Sequence, residues 1–364
     1  MRGTIVLKLP RLFLGLLLAL LCGTTVAAQT ITTMAKGLDH PWSLAFLPDG
    51  RVLVTERPGR LRIINRDGSL GTIEGVPPVF ARSQGGLFDV VLPPRFADNQ
   101  TLYLSYAAGT NAANGTVIAR ARLEGRRLAD LEVIWRNAPL KAGPVHFGGR
   151  MAWLPDATLV MSTGDGFDYR EQAQVKSSGL GQIVRLHADG SFPADNPFPG
   201  SAVWSYGHRN PQGLALDPAT GILWAHEHGP RGGDEVNRIE KGRNYGWPVA
   251  TKGLDYSGAT ISPFKSYPGM VEPRVVWIPS IAPSGLAVYR GAMFPEWNGS
   301  LIVGALAAQE VRRVVLDAGG RELSQERILP QLKARVRDVR VAPDGALWLT
   351  TDDAAGSVLR VTPR

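Results

Sequence analysis

The sequence predicts an all-β protein, a six-bladed β-propeller, and three observations lead to this fold class. A pattern of two short apolar segments, joined by a turn rich in Pro, Asp and Gly, recurs six times along the chain. Within these segments apolar and polar residues alternate with a period of two, which indicates strands rather than helices. The spacing between successive copies leaves room for one four-stranded antiparallel blade and a loop of variable length.

The six copies can be placed along the chain by their first apolar segments. The predicted first strands of the blades are anchored at Ser43, Leu87, Met151, Gly213, Gly285 and Arg337. A pair of β-sandwiches is the alternative all-β interpretation. Two sandwiches do not explain why the same hairpin recurs six times, so the propeller is preferred.

The two ends of the chain are expected to meet in one blade. Residues 30–35 have the pattern of a strand, and so do residues 358–361. Pairing these two strands would close the ring and remove an exposed sheet edge. No change of composition marks a linker, so residues 29–364 are predicted to form a single domain.

The N-terminus has the features of a secretory signal peptide covering residues 1–28. Three basic residues precede or flank the start of an apolar run at residues 12–22, and small residues at 26–28 suit cleavage. The apolar run is too short to span a bilayer, and Leu21 before Cys22 disfavours a lipid anchor. We expect a periplasmic or secreted protein with no membrane insertion after cleavage.

Composition excludes several classes of function. The only cysteine, Cys22, lies in the predicted signal peptide, which excludes disulfides, thiolate metal sites and a cysteine nucleophile in the mature chain. The first 28 residues carry three positive and no negative charges, so the net charge of +8 becomes +5 after cleavage. This modest, dispersed charge does not support nucleic-acid binding. The motifs of common serine hydrolases, NTPases and Rossmann dehydrogenases do not occur.

One candidate base stands before the third repeat. His146 is flanked by Gly143, Pro144, Gly148 and Gly149. An imidazole accepts a proton near neutral pH, and glycine neighbours let a substrate approach the backbone closely. A general base and a structural histidine bonded to a carbonyl are both compatible with this pattern.

Candidate ligands for an anion precede the fourth and sixth repeats. Arg209, Asn210 and Gln212 can bind the carboxylates and carbonyls of a planar ligand. Arg335 and Arg337 point to the same side if the chain there is extended. Arginines that converge on an axial cavity predict a ligand with several negative charges. The alternative is a solvated strand face with paired charges.

The long stretch between the fourth and fifth anchors contains a candidate metal loop. Glu227, Asp234 and Glu235 lie among glycines in an irregular segment, and such oxygen donors suit calcium. His226 and His228 are compatible with zinc, but no third nitrogen or sulfur ligand lies nearby in sequence.

Several ordered blocks together resemble the soluble, pyrroloquinoline-quinone-dependent glucose dehydrogenase family, and within it the aldose sugar dehydrogenases of the bacterial periplasm. The resemblance covers the whole predicted mature chain. It is carried by residues 38–43, 84–87, 146–149, 207–213, 227–230, 233–235, 244–248 and 335–337.

The resemblance implies a function and a set of site residues. His146 matches the family's catalytic base, which takes the proton of the anomeric hydroxyl while hydride passes to C5 of the quinone. The expected cofactor contacts are Gln84, Arg209, Asn210, Gln212, Tyr256, Arg335 and Arg337. Gln212 is included because it lies in the same block, residues 207–213, as Arg209 and Asn210. Calcium is expected on the carbonyls of Gly229 and Pro230, with further calcium ligands at Asp234, Glu235 and Tyr245.

One position departs from the family pattern. Ala307 stands where the family commonly has a lysine that contacts the cofactor, so the hold on the quinone should weaken or shift to Gln309 or Arg312. The resemblance implies an aldose as substrate and an external electron acceptor, with the protein a monomer or a homodimer. The alternatives are a calcium-dependent lactonase or esterase, and a non-catalytic propeller that binds sugar or protein.

Overall fold

The computed structural model describes Met1, Gly3 and residues 29–364 and contains six four-stranded antiparallel sheets arranged as a six-bladed β-propeller. The predicted signal peptide lies outside the described residues, apart from Met1 and Gly3. In the part of the chain that is described, no helix is long and apolar enough to cross a membrane. The fold class predicted from the repeats is confirmed.

The first three blades follow one another along the chain. Blade 1 contains β2 (Pro41–Phe46), β3 (Val52–Glu56), β4 (Arg60–Ile64) and β5 (Leu70–Ile73). Blade 2 contains β6 (Leu87–Val91), β7 (Thr101–Gly109), β8 (Asn114–Glu124) and β9 (Arg127–Arg136). Blade 3 contains β10 (Met151–Trp153), β11 (Leu159–Ser162), β12 (Gln182–Leu186) and β13 (Val203–Tyr206).

The other three blades continue the ring. Blade 4 contains β14 (Pro211–Leu216), β15 (Leu223–Glu227), β16 (Asp234–Ile239) and β17 (Val275–Trp277). Blade 5 contains β18 (Pro283–Val288), β19 (Leu301–Ala305), β20 (Glu310–Leu316) and β21 (Glu322–Arg327). Blade 6 contains β22 (Val336–Val341), β23 (Leu347–Thr351), β24 (Gly356–Pro363) and β1 (Gln29–Leu38). Helical structure comprises α1 (Phe96–Asn99) and 3₁₀ turns at Arg170–Gln174 and Pro295–Trp297.

Blade 6 closes the ring with both ends of the chain. The N-terminal strand β1 pairs antiparallel with β24, with Ile31 opposite Val361 and Thr33 opposite Leu359. This is the predicted closure, and it covers an edge that would otherwise expose unpaired backbone groups. All six predicted anchors lie in the first strand of a blade.

The core lies between neighbouring blades. Leu53 of blade 1 and Leu104 of blade 2 belong to one buried apolar cluster, and Ile302 of blade 5 and Leu349 of blade 6 belong to another. A central strand is therefore covered on both faces, and all five residues of β3 are buried. This explains why the second segment of each repeat is almost continuously apolar.

Four charged side chains, which we call the axial cluster, lie in or next to the first strands of three blades: Asp89, Arg150, Asp338 and Arg340. The first three are buried, and Arg340 is 22% exposed. Arg150 Nη1 lies 2.8 Å from Asp338 Oδ1, as an ion pair without hydrogen-bond geometry. Arg340 donates to Asp338 and to Asp89, each at 2.8 Å. Two positive and two negative charges thus balance, which buried ions require.

Arg150 also contacts backbone and aromatic groups of three other blades. Its Nε donates to the carbonyl of Gln212 at 2.8 Å, and its Nη2 donates to the carbonyl of Arg337 at 3.0 Å. The guanidinium lies 3.9 Å from the ring centre of Trp42. One side chain of blade 3 therefore contacts blades 1, 4 and 6.

We predict that Arg150→Met strongly destabilises the fold. The change removes a buried cation and leaves the carboxylate of Asp338 short of a partner, which should lower the free energy of unfolding by about 3–5 kcal/mol. Urea unfolding measures this loss. The control Arg51→Met breaks an exposed ion pair with Asp49 and should lower it by less than about 1 kcal/mol. Equal losses in the two variants would contradict the role of the axial cluster.

Candidate active site

The predicted cofactor residues gather at two neighbouring cavities. The first, which we call the arginine cavity, has a volume of about 370 Å³. Of the seven predicted cofactor contacts, it is lined by Gln84, Asn210, Gln212, Arg335 and Arg337. These residues come from the starts of three different blades, so the convergence predicted from the repeats is found for these five.

Asp352 holds the two arginines of blade 6 in place. Its carboxylate accepts a hydrogen bond from Arg335 Nη2 at 3.0 Å and from Arg337 Nη2 at 2.9 Å. Burial opposes the charge of this carboxylate, yet Arg337 and Arg335 lower its pKa to about 2. The two arginines therefore share one ionised carboxylate, and this corner keeps a net positive charge.

Amide side chains complete the arginine cavity on the side of blade 4. Asn210 Oδ1 accepts from the backbone N–H of Gly148 and from Gln212 Nε2, each at 3.2 Å. Arg337 Nη1 lies 3.4 Å from Gln212 Oε1. These bonds connect the loops that precede blades 3, 4 and 6.

The second cavity, which we call the aromatic cavity, contains the other two predicted cofactor contacts. Its volume is about 260 Å³, and Arg209, Pro230, Trp247 and Tyr256 are among its lining residues. Arg209 Nη1 donates to the carbonyl of Gly229 at 2.9 Å. Tyr256 is 59% exposed and its hydroxyl lies 3.4 Å from Arg209 Nη2. Arg209 and Tyr256 are thus apart from the five residues of the arginine cavity.

His146 contacts residues of both cavities. Its backbone N–H donates to Gln84 Oε1 at 2.9 Å. Its ring packs edge-on against the ring of Phe167, which lines the aromatic cavity, with the two ring centres 5.2 Å apart. The residue is 5% exposed and has a positive φ of 55°. A side chain rarely adopts this conformation, and when one does the position is often functional.

Two glycines let the backbone pack tightly around His146. A Cβ at Gly164 would lie 2.3 Å from the carbonyl oxygen of His146, and one at Gly148 would lie 2.6 Å from that of Ser162. Gly148 also has a positive φ of 67°. Both positions therefore require glycine.

A carboxylate that the sequence analysis did not identify orients the imidazole. Asp165 Oδ1 lies 2.7 Å from His146 Nδ1, and Asp165 Oδ2 accepts from Trp247 Nε1 at 2.7 Å. The backbone N–H of Phe167 donates to Oδ1 at 2.8 Å. Because the ionised Asp165 accepts hydrogen bonds only, it favours the tautomer with the proton on Nδ1, which leaves Nε2 as the basic atom.

The environment of His146 keeps its ring neutral near pH 7. Burial lowers the pKa of His146 below its ordinary value of 6.5, and the hydrogen bond that its ring donates to Asp165 opposes part of that decrease. The positive charges of Arg209 and Lys141 lower the pKa further. A neutral imidazole can accept a proton, so these effects suit a general base.

The predicted calcium ligands behave differently from one another. The carboxylate of Asp234 accepts from Ser280 Oγ and from the backbone N–H groups of Gly229, Ile281 and Ala282, all within 2.9 Å. Asp234 therefore joins the loop that carries Gly229 to the segment that enters blade 5. Its oxygens are already engaged.

Glu235 and Tyr245 lie in other surroundings. Burial raises the pKa of Glu235 well above its usual range, and the carboxylate of Glu227 raises it further. The Tyr245 hydroxyl donates to the carbonyl of Arg238 at 2.6 Å and accepts from the backbone of Glu240. Within residues 29–364, no three carboxylate, imidazole or thiolate groups form a metal cluster. Calcium binding by these side chains stays a prediction.

The position of Ala307 is consistent with the departure noted in the sequence. Leu306 lines the arginine cavity, whereas the exposed Ala307 brings no charge to it. Arg312, one of the expected substitutes, bonds to Glu310 at 2.8 Å and to Gln325 at 3.1 Å. Neither Arg312 nor the exposed Gln309 is among the residues that line the cavity.

Three site residues escaped the sequence analysis for a common reason. Arg57 directly follows β3, Asp352 directly follows β23, and Asp165 lies three residues after the end of β11, so each follows the second strand of a blade. The predicted residues came mainly from loops that precede first strands. In an antiparallel hairpin the first residue of the first strand lies beside the last residue of the second strand, at the same end of the sheet. Charged residues that follow the second strand of a blade could therefore have been predicted to lie in the site.

Comparisons with known proteins show the family of this chain. The family model described as Glucose / Sorbosone dehydrogenase matches residues 38–360. The aldose sugar dehydrogenase YliI of Escherichia coli is 40% identical over 351 residues, covering 93% of this chain and 94% of that protein. Quinoprotein glucose dehydrogenase B of Acinetobacter calcoaceticus is 28% identical over 410 residues, covering 89% of this chain and 85% of that protein.

A solved structure is similar over nearly the whole described fold. The PQQ-bound form of the aldose sugar dehydrogenase from Streptomyces coelicolor has a TM-score of 0.75 and 31% identity, and the match covers 92% of this chain and 99% of that one. The similarity in sequence and fold confirms the resemblance inferred from the ordered blocks. The chain belongs to the glucose/sorbosone dehydrogenase family.

Proposed function

We propose that this protein is a quinoprotein that oxidises the C1 hydroxyl of aldose sugars to lactones and passes the electrons to an external acceptor. One observation carries the proposal: a cavity rich in arginine lies beside a buried, neutral histidine that an ionised carboxylate orients. Relatives named as aldose sugar and quinoprotein glucose dehydrogenases support it.

The arginine cavity fits pyrroloquinoline quinone. This cofactor is a flat tricarboxylate, and the cavity offers arginines, amides and aromatic walls against a single carboxylate, that of Asp352. Arg337 Nε, like Arg209 Nε beside the cavity, is buried and has no hydrogen-bond partner among the described residues. Bidentate binding of carboxylates by arginine gives such a ligand both affinity and orientation.

Different residues of the chain would bind the cofactor, position the base and accept the proton. Arg335, Arg337, Asn210 and Gln212 bind and orient it, and Gln84 holds the backbone of His146. When bound, the quinone supplies the electrophilic carbon that accepts a hydride from C1 of the sugar. His146 removes the proton of the C1 hydroxyl at Nε2, since this hydroxyl is too weak an acid to ionise alone.

Calcium is the metal that we propose for this site. The carbonyl oxygens of Gly229 and Pro230 are hard ligands beside the two cavities, and carbonyl and carboxylate oxygens are the donors that calcium prefers. The Gly229 carbonyl already accepts one bond from Arg209, but a carbonyl oxygen has a second lone pair. Asp234 would fix the geometry of this loop.

Location and domain organisation complete the proposal. We propose that residues 1–28 are removed as a signal peptide, and that residues 29–364 form one catalytic domain in the periplasm or outside the cell. The enzyme would act as a monomer or a homodimer. An aldose and an external electron acceptor would be its partners.

The axial cluster disfavours a lactonase. That activity on a propeller needs a calcium site lined by axial carboxylates, whereas arginines neutralise Asp89 and Asp338 here. A non-catalytic propeller remains the second alternative because of Ala307. The deciding experiment is reconstitution with calcium and the quinone, followed by reduction of a dye with several aldoses. Lactone hydrolysis without quinone, or no sugar oxidation at all, would contradict the proposal.

We predict that His146→Gln lowers kcat by on the order of 10²–10⁴-fold, because the proton acceptor is lost. Quinone binding, measured by calorimetry, should stay within about threefold of the wild type, since other residues hold the cofactor. The control His187→Gln changes an exposed histidine and should keep full activity. Full activity in His146→Gln would rule out this residue as the base.

We predict that Asp165→Asn lowers kcat by on the order of 10²-fold and shifts the acidic limb of the pH profile to lower pH. The base works when neutral, so activity falls as the pH drops through the pKa of His146, which lies below 6.5. Asp165 raises that pKa, and its loss lowers it further. The measurement is kcat/KM against pH, with Asp189→Asn as the exposed control. An acidic limb that moves upward would contradict the assignment.

A further inference from the structure

A third arginine lines the arginine cavity and has no role in the binding described so far. Arg57 follows β3 of blade 1 and lines the cavity together with Arg335 and Arg337. Its backbone N–H donates to the carbonyl of His40 at 3.1 Å, and its carbonyl accepts from Leu87 at 2.9 Å. The backbone of Arg57 is therefore fixed between the loops that enter blades 1 and 2.

Gly86 leaves space for the side chain of Arg57. A Cβ at Gly86 would lie 2.6 Å from Arg57 Cγ and 2.1 Å from the Arg57 carbonyl oxygen. Any other residue at position 86 would displace both the backbone and the stem of the arginine. The Gln84–Gly86 loop is thus shaped around Arg57 at the wall of the cavity.

The charges around Arg57 do not balance. Arg335 and Arg337 already share the carboxylate of Asp352, and within residues 29–364 the half-buried guanidinium of Arg57 makes no hydrogen bond or ion pair. Burial lowers the pKa of Arg57, and the charges of Arg337 and Arg335 lower it further against the opposing effect of Asp352. Three arginines and one carboxylate leave an excess of two positive charges in one cavity. An anion with two or more carboxylates would compensate this excess.

We propose that Arg57 binds a carboxylate of the cofactor, and so supplies the cationic contact that Ala307 cannot supply in place of the family's lysine. The identity of the anion as pyrroloquinoline quinone rests on the proposed function. The assignment of Arg57 as an anion-binding residue rests on its position, its missing partner and the surplus charge of the cavity.

The test measures binding of the quinone to the apoprotein by titration calorimetry, without sugar or turnover. Arg57→Gln should raise the Kd about 10- to 100-fold, as expected for the loss of a hydrogen bond to a charged group. The uncharged trimethyl ester of the quinone should bind both proteins with a Kd that differs by less than about threefold. Arg51→Gln, on an exposed turn of the same blade, is the matched control and should bind like the wild type.

Two further variants keep the test decisive. Ala307→Lys, added to Arg57→Gln, should restore much of the affinity for the quinone. Arg57→Lys should give an intermediate Kd, and it replaces Arg57→Gln if that variant does not fold. Unchanged quinone affinity in Arg57→Gln, or an equal loss for the quinone and its ester, would overturn the inference. A folded wild type that binds no quinone would instead overturn the proposed function, and with it the identity of the anion.

Discussion

The balance of buried charge at the propeller axis is the constraint on which the rest of the structure depends. Arg150 and Arg340 neutralise Asp89 and Asp338 where the first strands of the blades meet. Removing any one of these ions would leave the charges of the other three unbalanced, which is more costly than losing an exposed pair. The strands that carry the four ions are therefore held in one arrangement. The loops that precede these strands are therefore held in fixed positions relative to one another.

The axial cluster also supports the candidate site directly. Arg150 holds the carbonyls of Gln212 and Arg337, and the side chains of both these residues line the arginine cavity. The axial cluster, whose charges balance, thus adjoins the positively charged arginine cavity. Because Asp89 and Asp338 are neutralised within the axial cluster, the arginines of the cavity are not needed to neutralise them. The surplus positive charge of the cavity is therefore available to a ligand. The positive charges of Arg209 and Lys141, neither of which lines the arginine cavity, help to keep His146 neutral. Positive charge in the site therefore favours both anion binding and proton abstraction.

The sequence was sufficient for the blade count, the closure by both chain ends, and the convergence of Arg335 and Arg337 with the loop of blade 4. These follow from strand periodicity and from where loops lie in a propeller. Sequence reasoning missed Asp165 and Asp352, because their roles depend on partners from other loops and, for Asp165, from another blade. Spacing along the chain also did not reveal that the carboxylate of Asp234 accepts four hydrogen bonds that organise a loop, and its role as a calcium ligand stays a prediction. Side-chain partners across blades cannot be inferred from spacing along one chain.

The central claim is that one cavity binds a flat polyanion within reach of the oriented imidazole. A crystal structure of the protein reconstituted with calcium and pyrroloquinoline quinone tests it most directly. The account predicts cofactor carboxylates bonded to the guanidinium groups of Arg335 and Arg337, with the quinone face exposed toward His146 Nε2. A cofactor bound elsewhere on the propeller, or one whose reactive carbon lies beyond reach of a sugar held by that imidazole, would contradict it.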